Sequence, residues 1–91
     1  MQDEVNLFVG RRIRRRRRLL DMTQQQLGAA CGVTFQQIQK YESACTRLSV
    51  DTLWRIARAL EVDIGYFFEG LGDAQGDSRA PLTRQPDLVS V

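Results

Sequence analysis

The sequence predicts an all-α domain of five short helices over residues 1–72, followed by a flexible tail over residues 73–91. Three observations carry this reading. Apolar residues recur at helical spacing in five separate stretches. Capping residues stand at the predicted helix starts, and residues that tolerate a stop stand at the ends. No alternating pattern of strand length occurs. With 91 residues, the chain has room for one domain.

The first helix starts near Asp3 to Asn6 and runs to Leu20, with Val9, Ile13, Arg17 and Leu20 on one face. Every position from Arg11 to Arg18 is arginine except Ile13, and arginine is a good helix former. Asp21 ends the helix, because aspartate tolerates the left-handed conformation of a helix stop. Thr23 followed by Gln26 has the form of a capping box. It opens a second helix from Gln24 to about Cys31, with Leu27, Ala30 and Cys31 inward and with Gly28 and Ala29 small enough for close packing. Gly32 stops it.

Thr34 caps a third helix, Phe35 to about Glu42, whose buried side is Ile38 and Tyr41. Ser43 to Leu48 is a loop. Ser49 caps a fourth helix, about Val50 to Leu60, with Val50, Leu53, Trp54, Ala57 and Leu60 as its apolar stripe. Trp54 is expected in the core. Asp63 caps a short fifth helix, about Ile64 to Phe68. Its aromatic cluster Tyr66, Phe67 and Phe68 either closes the core or forms a dimer contact. Gly70 and Gly72 end the compact part. The polar stretch from Asp73 onward, with Pro81 and Pro86, reads as the tail.

Charge is distributed unevenly. Residues 10–58 hold eleven Arg or Lys against three acids, Asp21, Glu42 and Asp51. Residues 59–91 hold two arginines against six acids, and residues 1–9 add two acids more. A basic face with an acidic rear suits a polyanion partner. Metal and cofactor chemistry find no support. There is no histidine, Cys31 and Cys45 are not at metal-ligand spacing, and no nucleophile stands beside a base. Cys31 is expected in the core and Cys45 as an exposed free thiol. No apolar run approaches the roughly 20 residues that span a bilayer. Asp3 and Glu4 precede the first apolar patch, the reverse of a secretory signal. The expectation is a cytoplasmic protein without membrane association and without enzymatic activity.

Function concentrates in Thr23 to Glu42, where two capped helices flank a tight turn at Gly32. Helices joined this closely cross steeply, which is a helix-turn-helix. The third helix presents Phe35, Gln36, Gln39 and Lys40 outward. Glutamine can pair with an adenine edge, lysine can donate to guanine O6 and N7, and an aromatic ring can meet a thymine methyl.

From Val9 to Gly70 the chain resembles the Cro/C1-type, or XRE-type, helix-turn-helix regulators. The resemblance lies in Arg12-Ile13-Arg14, Met22-Thr23-Gln24-Gln25-Gln26-Leu27, Gly32-Val33-Thr34, Ile38-Gln39-Lys40-Tyr41-Glu42, Leu53, Ile56-Ala57 and Leu60. The run Phe35 to Glu42 is similar to that of small alphaproteobacterial members. The resemblance implies a lambda-repressor-like fold and a sequence-specific DNA-binding regulator, a repressor by expectation, working as a homodimer on a pseudo-palindromic operator. It implies that Thr34, Phe35, Gln36, Gln39 and Lys40 face bases. Gln24, Ser43 and Arg47 would contact phosphates. Arg17 would pair with Glu42 inside the domain, and the helical phase independently turns Arg17 inward, where it needs a partner. Two positions depart from the family's glycine, Asp21 and Ala44, and a left-handed Ala44 carries a cost of about 1 kcal/mol.

The arginine run surrounds its helix, so only a subset can touch one DNA. Arg12 is the expected phosphate contact of the run, with Arg11 and Arg14 as further candidates. Two other functional classes compete with operator binding. The hydrophobic ending Leu88-Val89-Ser90-Val91 suits an antitoxin-like or co-regulator module that meets a protein partner through its tail. The arginine run suits an RNA binder led by the first helix.

Overall fold

The computed structural model describes residues 4–74. The expected tail, including Leu88 to Val91, lies outside the described residues except for Asp73 and Ala74. The described residues form helices and connecting turns, with no strand among them. The order is α1 (Glu4–Leu19), α2 (Gln24–Cys31), α3 (Phe35–Glu42), α4 (Val50–Leu60), a 3₁₀ helix (Ile64–Phe68) and a single α-turn, α5 (Leu71–Ala74).

Local chemistry explains the boundaries. Thr23, Thr34 and Ser49 each take an extended conformation, and each side chain accepts a hydrogen bond from a backbone N–H in the first turn of the following helix. At Thr23 the Gln26 side chain returns the bond, completing a capping box. Helices α1 to α4 stop in one way, on a residue with positive φ: Asp21, Gly32, Ala44 and Glu61. After α1, α3 and α4, the next two N–H groups turn back onto the last turn. Asp21 and Met22 donate to Arg18 and Arg17, Ala44 and Cys45 to Tyr41 and Lys40, and Glu61 and Val62 to Arg58 and Ala57. Three of these four stops therefore lack the glycine that takes the conformation without steric cost.

One core gathers Val9, Ile13, Leu27, Cys31, Ile38, Tyr41, Leu53, Ile56, Ala57, Leu60 and Phe67. Two helical glycines set its tightest approaches. A Cβ at Gly10 would lie 2.5 Å from the Tyr41 carbonyl oxygen, and one at Gly28 would lie 2.6 Å from that of Val33. These approaches seat α1 against the end of α3 and fold the α2–α3 turn onto α2.

Three expectations need correction. Trp54 is half-exposed, at 51%, and Val50 is almost free. The buried stripe of α4 is Leu53, Ile56, Ala57 and Leu60. Trp54 lies about 100° round the helix from Leu53, outside that stripe, and the Arg58 guanidinium stacks over its ring at 4.9 Å. Ala29 and Ala30 are exposed rather than packed, so α2 buries only Leu27, Gly28 and Cys31. The fifth element is 3₁₀ rather than α, and Asp63 before it is extended but makes no side-chain capping bond. Its cluster divides: Phe67 is fully buried, Tyr66 meets it edge to face, and Phe68 is exposed.

Candidate nucleic-acid interface

The centre of the site is an ion pair with three partners. Arg17, on the inward face of α1, donates from Nε to Glu42 Oε2 at 2.6 Å and from Nη2 to Oε1 at 3.1 Å. Its third nitrogen, Nη1, donates to the Met22 carbonyl at 2.7 Å. Gln24, the first residue of α2, donates from Nε2 to Glu42 Oε1 at 3.1 Å. The two charged side chains are only 11% and 4% exposed. A buried carboxylate satisfied this fully is held in one geometry. It joins the end of α1, the start of α2 and the end of α3, fixing the angle at which α3 stands out.

That angle presents a polar face. Ile38, Tyr41 and Glu42 point inward, so Thr34, Phe35, Gln36, Gln37, Gln39 and Lys40 are exposed. The Thr34 hydroxyl is committed as an acceptor to the Gln37 N–H. Beside the carboxyl-terminal half of α3 opens a groove of about 1070 Å³, lined by Arg14, Arg18, Gln24, Gln39, Lys40 and Ser43 among others. Ser43 directs its hydroxyl back to the Gln39 carbonyl at 2.8 Å, so a phosphate contact through that hydrogen requires the bond to open. Arg47 is exposed on the loop and makes no ion pair among the described residues. Cys45 is an exposed free thiol at the rim, while Cys31 is buried. Burial raises the Cys31 thiol pKa, with Arg55 opposing the shift.

The arginine run divides by helical phase. Arg12, the expected phosphate contact, is engaged within the fold. Its Nε donates to the Tyr66 carbonyl at 3.1 Å, its Nη2 pairs with Glu69 at 3.0 Å, and its guanidinium lies 4.1 Å from the Tyr66 ring centre. Arg16 donates to the Leu60 carbonyl at the end of α4. Arg14, two residues from Arg12, points about 200° away round the helix and into the groove with Arg18. Nothing in the sequence marks the Tyr66 carbonyl as a neighbour of Arg12, or the Leu60 carbonyl as a neighbour of Arg16. The i, i+4 spacing of Arg14 and Arg18, on the flank shared with Arg17, was the available signal. Among the described residues no cluster of His, Cys, Asp or Glu could hold a metal ion. No described helix is long and apolar enough to cross a membrane.

Comparison with known proteins agrees with this geometry. The helix-turn-helix family model HTH_3 matches residues 13–67. An HTH-type transcriptional regulator, y4aM, of Sinorhizobium fredii is 54% identical over 69 residues, covering 76% of this chain and 48% of the relative. A transcriptional regulator from the ATPase CF(0) region of Rhodospirillum rubrum is 47% identical over 81 residues, covering 87% of this chain and 75% of the relative. The chain spans about half the length of the Sinorhizobium relatives it matches. Among solved structures, the P22 c2 repressor in complex with a synthetic operator is similar at a TM-score of 0.64 and 32% identity, covering 68% of this chain and 94% of that one. The fold is also that of the clp gene regulator ClgR of Corynebacterium glutamicum, with a TM-score of 0.72 over 90% of this chain and 94% of that one, at 19% identity. The chain belongs to the HTH_3, XRE-type, helix-turn-helix family of transcriptional regulators.

Proposed function

We propose that this chain is a sequence-specific DNA-binding regulator that represses by occupying an operator. The observation that carries the reading is the braced, exposed polar face of α3, fixed by the Arg17–Glu42–Gln24 cluster. In this reading α3 lies in the major groove. Phe35, Gln36, Gln39 and Lys40 meet base edges there, with Thr34 at the entry. The start of α2 crosses the backbone, where Gln24 braces α3 and approaches phosphate. Arg47, Arg14 and Arg18 supply charge to phosphates on either side, and Ser43 contributes once its hydroxyl turns outward. The similarity to a repressor bound to its operator supports this arrangement.

A single domain of this size covers little DNA, so the proposal includes a homodimer on a pseudo-palindromic site with half-sites about 10 bp apart. The dimer contact is sought in the 3₁₀ segment, where Phe68 is exposed, or beyond the described residues. The place of action is the cytoplasm. Selection of bound DNA from a random duplex pool tests the reading. A two-fold symmetric enriched motif supports it. Binding without any motif contradicts it.

A further inference from the structure

We infer that the outward side of α1 is a second DNA-binding surface, one that carries the duplex flanking the base pairs read by α3. This inference rests on the proposed DNA-binding function. Arg11, Arg14, Arg15 and Arg18 are all exposed, and none makes an ion pair or a side-chain hydrogen bond among the described residues. They line a shallow groove along α1 together with the exposed Leu19. Arg14 and Arg18 also line the groove beside Lys40, Gln39 and Gln24. The free cations therefore form one continuous track, from the end of α3 across Arg14 and Arg18 to Arg11 and Arg15.

The arrangement works against the helix that bears it. Arg11 and Arg15, and Arg14 and Arg18, are like charges at i, i+4; Arg11 and Arg14, and Arg15 and Arg18, are like charges at i, i+3. A face meant only for solvent gains by interleaving glutamate, and between Arg11 and Arg18 this face has none. The inward arginines of the same helix each have an acceptor, so the track consists of the ones the fold does not use. Guanidinium groups in a row match the spaced phosphates of a duplex backbone, and the track's continuity with the α3 groove places the flanking duplex on it.

The test compares two duplexes that contain the selected operator. One is trimmed to the base pairs that α3 reads, and the other is extended by about one helical turn on each side. The extended duplex binds the wild-type protein about ten-fold tighter, and its salt slope is steeper by close to one unit for each phosphate gained. In the double variant Arg11→Gln/Arg15→Gln that gain is lost, while affinity for the trimmed duplex and base preference stay at wild-type values. Equal affinity of wild type for both duplexes overturns the inference, as does a gain that survives in the double variant. A loss on an extended RNA duplex without a loss on DNA also overturns it and assigns the track to RNA. Gln36→Ala separates this from the underlying reading. If Gln36→Ala leaves base preference intact, sequence-specific reading by α3 fails, whatever the flanking duplex does.

Discussion

The inward and outward sides of α1 carry the same residue type within one eight-residue stretch and serve opposite ends. Inward, Arg12, Arg16 and Arg17 reach acceptors on the 3₁₀ helix, on α4, and on α3 with the α1–α2 turn. Carbonyls at a helix end keep lone pairs that the helix does not fill, and a guanidinium supplies several donors to them. Outward, Arg11, Arg14, Arg15 and Arg18 have no acceptor among the described residues and repel one another. The difference teaches that charge in a sequence does not announce its role; helical phase does. Inward arginines tie elements together, and outward ones are left for a polyanion.

The largest expected effect breaks the inward side. Glu42→Ala leaves Arg17 buried without its carboxylate and removes the acceptor of Gln24, so it destabilises the fold by about 3–5 kcal/mol, read by urea or thermal unfolding. Arg15→Ala, on the outward side, stays within about 0.5 kcal/mol of wild type in the same assay. Equal losses at the two positions would remove the distinction.

Next comes the reading face. Gln36→Ala or Lys40→Ala weakens operator binding by about 1–3 kcal/mol and relaxes preference at one or two base pairs. Arg47→Ala weakens binding to all sequences alike and flattens the salt dependence by about one unit. Competition titrations against a scrambled duplex distinguish the two. Arg16→Ala frees the Leu60 carbonyl at the end of α4 and costs about 1 kcal/mol of stability with no change in base preference. The smallest effect is a gain. Ala44→Gly relieves a φ of 60° and raises stability by about 0.5–1 kcal/mol, part of the relief being offset by glycine's greater freedom in the unfolded chain.

How much of this was legible in the sequence differs from link to link. The bounds of α2, α3 and α4 could be read because Thr23, Thr34 and Ser49 are side chains that act on their own backbone within three residues. Asp21 as a left-handed stop was readable for the same reason. The strain at Ala44 was visible only against the family's glycine. Glu61 in the same conformation was not visible, since a glutamate there has no local mark. The meeting of Arg17 with Glu42 followed from helical phase and family resemblance together. What escaped was tertiary. Trp54 reads as core by hydrophobicity, yet the rotation of α4 is set by Ile56 and Leu60 against the other helices. Arg12 reads as a phosphate ligand by charge, yet the Tyr66 carbonyl that holds it stands 54 residues further along the chain.

The central claim is that base preference resides in α3 while the outward arginines add only sequence-independent charge. Salt-dependent titration of the selected operator and a scrambled duplex, with wild type, Gln36→Ala and Arg14→Gln/Arg18→Gln, tests it most directly. The account predicts that Gln36→Ala narrows the ratio of the two affinities without altering the salt slope. The double arginine variant lowers the slope by about two units and leaves the ratio unchanged. A ratio that survives Gln36→Ala but collapses in the arginine variant would contradict it.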